Sequence, residues 1–179
     1  ERDIQWSDEG ISASNKFINK LWNLNLKILE KIKLENDEDP DNLLEKNTNQ
    51  FLDDVSNNLL NFRYNKIIAN FYQIYNDIFK LIDKNYSKKT LIENYKKILI
   101  TMNPVIPHFS NECLKLIDKN LGPIEWPKIN KKLIEEQIIN YVIQVNGKKR
   151  GLIQAEKDIL EENLINLVEK RDDIKKYFV

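Results

Sequence analysis

The segment that decides the fold is residues 67–82, with the sequence IIANFYQIYNDIFKLI. Its apolar residues recur at spacings of three and four, which places them on one side of an α-helix. That side is wide, and a helix with a wide apolar side packs on more than one neighbour. We therefore predict that this helix is the centre of a bundle. The apolar positions are Ile67, Ile68, Phe71, Ile74, Tyr75, Ile78 and Ile82.

The same periodicity predicts further helices on both sides of this segment. Ser7 is a candidate N-cap for a first helix, whose apolar residues run from Phe17 to Ile32. A second helix is expected from about Asp41, after an acidic loop. Ser87 is a candidate cap for a fourth helix, and Pro107 fits the first turn of a fifth. The fold class predicted is therefore mainly α, with a bundle of four to five helices.

One β-hairpin is predicted in this helical chain, at residues 141–154, YVIQVNGKKRGLIQ. Its first arm alternates and is rich in β-branched residues, and Asn146-Gly147 favours a two-residue turn because both central positions need positive φ. Three cations follow the turn directly. Asp158 and Glu161 then have the spacing of a capping box, which predicts a short helix.

These elements predict three parts along the chain. Residues 1–122 would form the helical bundle, residues 123–137 an extended connector, and residues 138–179 a small α+β module. One hairpin with one helix is too small to be stable alone, so we expect this module to be incomplete.

Composition limits the classes of function. The 179 residues contain 28 Lys+Arg and 28 Asp+Glu, so any nucleic-acid surface must be a local patch. A single Cys excludes an internal disulfide, and no apolar run approaches the roughly 20 residues of a membrane span. We expect no membrane association.

No catalytic or metal centre is predicted. Four Gly cannot build a phosphate-cradling loop, and one His with one Cys cannot supply a zinc site. His108 is a formal partner for Ser110 or Cys113, but no third group or oxyanion loop accompanies it, and a buried inert thiol suits Cys113 better. Asp53 and Asp54 are adjacent, so on a helix they point about 100° apart.

The remaining class is nucleic-acid binding through exposed cations. For each candidate, an ordinary solvated surface charge is the alternative. Trp6 and Trp126 lie at segment edges and stay open as base-stacking residues, whereas Trp22 lies within an apolar stripe and fits the core. The candidate contacts are Lys148, Lys149 and Arg150 on the hairpin, Arg63 and Lys66 at the start of the central helix, and Lys16 and Lys20 on the first helix.

Several stretches together resemble the C-terminal half of leucyl-tRNA synthetases, class I synthetases of the bacterial or organellar type. Residues 5–10 (QWSDEG) resemble the start of the helical tRNA-binding domain, and residues 62–69 (FRYNKIIA) resemble the family's Phe-Asn-Thr-Ala-Ile-Ala turn. Residues 103–109 (NPVIPHF), with Trp126-Pro127, resemble its Asn-Pro-x-x-Pro-His and Trp-Pro pair. The most specific match is residues 142–151 (VIQVNGKKRG), to its Val-Gln-Val-Asn-Gly-Lys-x-Arg hairpin.

This resemblance implies a bundle of the class I anticodon-binding-domain type that contacts tRNA(Leu). It implies a parent enzyme that joins leucine to its tRNA with ATP and Mg, in the cytoplasm or an organellar matrix. The catalytic signatures His-x-Gly-His and Lys-Met-Ser-Lys-Ser are not in this sequence. We therefore expect no catalytic residue and no cofactor in this part, and any oligomer would be an artefact of truncation.

Two alternatives stay open. The helical motifs alone also suit valyl- or isoleucyl-type relatives, and only the hairpin after Trp-Pro points to leucine. A helical scaffold that binds a protein partner through Ile174 and Phe178 is the second alternative, mildly favoured by the zero net charge.

Overall fold

The computed structural model of the chain describes residues 7–34, 36, 38–119, 122–134, 138–156 and 159–175. These residues form helices and one antiparallel hairpin, in two compact units that divide after Ile134. The predicted mainly α class, a five-helix bundle with one hairpin, is confirmed. The elements are α1 (Asp8–Ile32), α2 (Leu43–Leu60), α3 (Tyr64–Leu81), α4 (Lys88–Met102), α5 (Pro107–Ile117), α6 (Lys131–Ile134), β1 (Ile138–Val145), β2 (Lys148–Glu156), α7 (Glu161–Glu169) and α8 (Asp172–Lys175).

The core of the first unit is built by α1 to α5. α4 packs on α1, α2 and α5, whereas α3 packs mainly on α2, with a smaller contact to α1. The prediction that residues 67–82 form the centre of the bundle is therefore wrong, because α4 holds the more central position. The apolar stripe of α3 is correspondingly narrower than predicted: Ile68 is exposed, while Ile67, Phe71, Ile74 and Ile78 are buried.

The predicted helix starts are confirmed at three of the bundle helices. The Ser7 side chain accepts a hydrogen bond from Gly10 N at 3.0 Å, and that of Ser87 accepts one from Thr90 N at 3.1 Å. Pro107 is the first residue of α5, where its missing N–H costs nothing. α2 begins at Leu43 rather than at Asp41, because the Asp41 carboxylate accepts a hydrogen bond from Leu43 N and so precedes the first turn.

The acidic loop before α2 is tied to the loop between α3 and α4. Asp39 accepts hydrogen bonds from Ser87 N at 2.7 Å and from Thr90 Oγ1 at 2.6 Å. Asp41 accepts from Lys84 Nζ at 2.7 Å and from the Tyr86 hydroxyl at 2.5 Å. We call the six residues Asp39, Asp41, Lys84, Tyr86, Ser87 and Thr90 the loop clamp.

The loop clamp shifts the pKa of its acidic groups in opposite directions. The hydrogen bond from Lys84, and then that from Tyr86, lower the pKa of Asp41 to about 2. Burial pulls the pKa of Asp39 upward, but the hydrogen bonds from Thr90 and Ser87 outweigh it and leave a lowered pKa. Burial and the neighbouring Asp41 raise the pKa of Tyr86.

We expect the clamp to make the stability of the bundle depend on acid pH. A carboxyl with a lowered pKa in the folded state stabilises that state above its unfolded pKa of about 4. The contribution of Asp41 is lost as pH falls from there through about 2. Asp41→Asn should therefore lower the urea midpoint at pH 7 and match the unmodified chain near pH 2, as measured by circular dichroism. Asp83→Asn is the control, and an equal midpoint for Asp41→Asn at pH 7 would contradict the prediction.

Much of the predicted connector packs on α2 and belongs to the first unit. Asn49 Oδ1 accepts a hydrogen bond from Asn130 N at 2.7 Å, and Ser56 Oγ accepts one from Trp126 Nε1 at 3.1 Å. Residues 122–130 have no regular secondary structure, as predicted for a connector. Lys131–Ile134 form one helical turn instead of extended chain, because packing on α2 favours compact backbone there.

The second unit contains the hairpin and the last two helices. Asn146 and Gly147 have φ of 53° and 74°, so the predicted two-residue turn is confirmed. Ile174 is buried beside Gly151 and Ile143, so it is not available as a docking residue for a partner protein; Phe178 lies outside the described residues. The alternative function, a protein-docking surface at Ile174 and Phe178, therefore loses the support of Ile174.

The predicted capping box of the last module is not formed as expected. α7 begins at Glu161 with Leu160 as its N-cap, so Glu161 lies in the first position and not the third. Asp158, the other half of the box, lies outside the described residues. Across the described ranges, no helix has both the length and the apolar content that a membrane span requires.

Candidate nucleic-acid interface

Four of the predicted cationic contacts lie on the helical bundle, and all four are exposed. Lys16 and Lys20 are one turn apart on α1. Arg63 is the N-cap residue of α3, and Lys66 lies in its first turn. Each side chain can therefore reach solvent and a phosphate group.

Ring contacts relate the positions of these four cations along α1 and α3. Phe17 stacks on Tyr72 with ring centroids 3.8 Å apart, and Lys27 Nζ lies 4.8 Å from the ring centre of Phe79. The two contacts follow the same order along α1 and α3, so these helices run in the same direction. Tyr72 is six residues beyond Lys66, or about 9 Å along the helix. Arg63 and Lys66 thus lie at the N-terminal end of α3, whereas Lys16 and Lys20 lie nearer the middle of the parallel helix α1.

The three hairpin cations lie in the second unit. β2 begins with Lys148, which pairs across the hairpin with Val145, and Lys149 pairs with Gln144. The next pair across the hairpin is Gly151 with Ile143. The pairing thus skips Arg150, which lies at a bulge in β2. Such an irregularity redirects side chains locally. All three residues are exposed on the side of the turn where β2 starts.

The turn between α2 and α3 also exposes two aromatic rings that are not among the predicted contacts. Phe62 is 77% exposed and Tyr64 is 56% exposed, and their ring centroids lie 6.4 Å apart in an edge-to-face arrangement. The available sequence signal was the interleaving of aromatic, cationic and amide residues in FRYNK, residues 62–66.

The structure describes two of the three tryptophans, and these two lie in different environments. Trp22 is half-buried and packs edge-to-face on Phe109, with ring centroids 6.5 Å apart, which agrees with its predicted place in the core. Trp126 donates its N–H to Ser56 and keeps 43% of its surface exposed. Trp6 lies outside the described residues, so its stacking role stays a prediction.

The structure shows the environment of the side chains that were considered as catalytic candidates. Burial raises the pKa of the Cys113 thiol to about 12, so at neutral pH it is protonated and a poor nucleophile. The Ser110 hydroxyl is buried and makes no hydrogen bond within the described part of the chain, so it is not activated by His108. Asp53 and Asp54 accept hydrogen bonds from different residues, Asn57 and Gln50. Among the residues that the structure describes, no three acidic, His or Cys side chains form a metal-binding group.

Comparison with known families gives one match over most of the chain. The family described as "Anticodon-binding domain of tRNA ligase" matches residues 41–165. This range begins before α2 and ends within α7, so it includes the bundle cations Arg63 and Lys66 as well as the hairpin.

Curated relatives of the chain include leucine–tRNA ligases. The enzyme of Orientia tsutsugamushi (strain Boryong) is 35% identical over 99% of this chain and 21% of its own length. That of Prochlorococcus marinus (strain MIT 9215) is 31% identical over 99% of the chain and 21% of its own length. The chain therefore spans about a fifth of the length of these relatives.

A comparison with solved structures also gives a match in fold. The matching structure is the ternary complex of Agrobacterium radiobacter K84 agnB2 LeuRS with tRNA and LeuAMS, which superimposes with a TM-score of 0.73 at 19% identity. The superposition covers 97% of this chain and 23% of that one. At this identity the likeness establishes the fold.

Proposed function

Since this chain belongs to the family of anticodon-binding domains of tRNA ligases, we propose that it is the tRNA-binding part of a leucine–tRNA ligase. The observation that carries the proposal is the exposure of Lys16, Lys20, Arg63 and Lys66 on two parallel helices of a bundle of this family. Cations held on rigid helices meet the spaced phosphates of a folded RNA without a large ordering cost.

The proposed role of this chain is to bind and position tRNA(Leu). The whole protein would attach leucine to that tRNA with ATP and Mg, through a catalytic domain outside this chain, and would act in the cytoplasm or an organellar matrix. The similarity to leucine–tRNA ligases over 99% of the chain supports this assignment. We keep residues 1–122 as the bundle, 123–137 as the connector and 138–179 as part of a further module.

The proposed contacts are phosphate contacts, which fix the position of an RNA without reading its sequence. Within the bundle they come from two parallel helices, and within the second unit they come from Lys148, Lys149 and Arg150 at the start of β2. The term anticodon-binding describes the fold family, and the proposal requires contacts to the tRNA backbone only.

Binding of a leucine tRNA transcript to the 179-residue chain, measured by filter binding between 50 and 200 mM salt, tests this function. With each of the seven proposed cations neutralising one phosphate, we expect the affinity to fall by roughly 10³- to 10⁴-fold over that range. Replacing Lys148, Lys149 and Arg150 together with Ala should make the slope of log K against log salt shallower by about two to three.

Two results would contradict these expectations separately. Undetectable binding at 50 mM salt would overturn the proposed function itself. Normal binding with an unchanged salt slope in the hairpin variant would remove only the hairpin from the interface. A leucine-dependent ATP–pyrophosphate exchange assay on the same chain should give no signal, because its proposed role is binding and not activation.

A further inference from the structure

The turn between α2 and α3 has an unusual residue at its sharpest point. Phe62 N donates to Leu59 O at 3.1 Å and Arg63 N donates to Asn58 O at 2.8 Å, the two hydrogen bonds of a Schellman motif. This motif needs a left-handed residue, usually Gly, and Phe62 adopts it with φ of 53°. A bulky L-residue is disfavoured in that conformation.

The strained position of Phe62 is not balanced by burial of its ring. The ring is 77% exposed, and Leu60 two residues earlier is 79% exposed. Tyr64 contributes a second exposed ring, in edge-to-face contact with the first. We call Leu60, Phe62 and Tyr64, with the flanking cations Arg63 and Lys66, the aromatic tip. Folding of the bundle alone does not account for three large apolar side chains in water.

The charges of the chain segment that contains the aromatic tip favour a polyanion. Arg63 and Lys66 are exposed, and no Asp or Glu occurs between Asp54 and Asp77. Both cations also lie at the N-terminal end of α3, where the helix dipole makes positive charge unfavourable. Their placement thus costs stability in the free protein and is suited to an anionic partner.

We propose that the aromatic tip stacks on unpaired nucleobases of the bound RNA, while Arg63 and Lys66 contact the adjoining phosphates. Unpaired bases offer flat faces that pair well with exposed aromatic rings, and each such stack contributes substantially to affinity. This inference rests on the proposed function, because it names the part of the tRNA that this end of the bundle recognises. According to this inference, the aromatic tip binds a loop of the RNA and not a duplex stem.

Substituting Phe62 separates a stacking role from a structural one. Phe62→Gly removes the ring and relieves the strained backbone, so the melting temperature should rise by about 2–4 °C. Loss of one stack should weaken binding of the leucine tRNA transcript by about 5- to 150-fold. The slope of log K against log salt should stay unchanged, because no cation is removed.

Three further variants at two exposed rings complete the test. Tyr64→Ala should weaken binding in the same way, and Tyr64→Phe should retain it because the ring is kept. Phe79→Leu is the matched control: Phe79 is 47% exposed near the far end of α3 and should leave RNA affinity unchanged.

The outcomes distinguish this inference from the function on which it rests. Failure of the unmodified chain to bind the tRNA would overturn both. Normal binding by both Phe62→Gly and Tyr64→Ala would overturn the stacking inference alone. A lowered melting temperature in Phe62→Gly would also overturn it, because the ring would then be a packing element.

Discussion

Replacing Phe71 with Ala should lower the free energy of unfolding of the bundle by about 3–5 kcal/mol. Phe71 is almost fully buried on α3, and its ring centroid lies 5.9 Å from that of Phe51 on α2. Removing the ring loses its burial and its contact with Phe51, and it leaves a cavity between helices that cannot fully collapse. A loss of this size is a large share of the 5–15 kcal/mol that typically stabilises a protein.

Urea unfolding followed by tryptophan emission measures this loss. Trp22 and Trp126 lie in the first unit, so their emission reports on its unfolding. Ile68→Ala is the matched control on the same helix, and it should stay within about 0.5 kcal/mol because Ile68 is exposed. A loss below about 1 kcal/mol for Phe71→Ala would contradict the packing of α3 on α2.

Replacing the four bundle cations with Gln should have the largest effect on RNA binding. If Lys16, Lys20, Arg63 and Lys66 each neutralise one phosphate, the salt slope becomes shallower by roughly three to four. Such contacts contribute little to affinity at 1 M salt. Over the tenfold range from 1 M to 0.1 M, this difference in slope should leave the quadruple variant binding about 10³-fold more weakly than the unmodified chain at 0.1 M salt. Filter binding of a leucine tRNA transcript over a salt series measures both quantities.

A second quadruple variant removes equal charge from the end of the bundle where α1 and α3 finish. Lys33, Lys80, Lys88 and Lys89 are exposed near the C-terminal ends of α1 and α3 and at the start of α4. Their replacement with Gln should change the slope by less than one. Equal losses in the two variants would show that binding follows net charge and not the positions of the four proposed contacts.

The family and the main elements could be predicted from the sequence because their signals are local. Hydrophobic spacing gave the helices, Ser7 and Ser87 gave their starts, and Asn146-Gly147 gave the turn. The resemblance to leucyl-tRNA synthetases is confirmed by relatives that match 99% of the chain. The capping box at Asp158 was a weaker signal, since two residues with the right spacing do not determine where a helix begins.

The position of α3 in the bundle could not be predicted from its apolar stripe. Ile68 shares the stripe, but it is exposed because α3 packs mainly on one neighbour, whereas α4 contacts three helices. The width of an apolar side shows how much surface could be buried, and the arrangement of the other helices determines how much is buried.

The sequence by itself determined the helices, the hairpin turn and the family, because each depends on residues close together in the chain. Only the tertiary structure decided that α1 and α3, which carry four of the candidate cations, run in the same direction, that the acidic loop is clamped by Lys84 and Tyr86, and that Ile174 is buried. It also showed Phe62 as a strained, exposed ring at the start of α3. These features join residues far apart in sequence, or depend on which surface is left uncovered, so they follow from packing and not from local pattern.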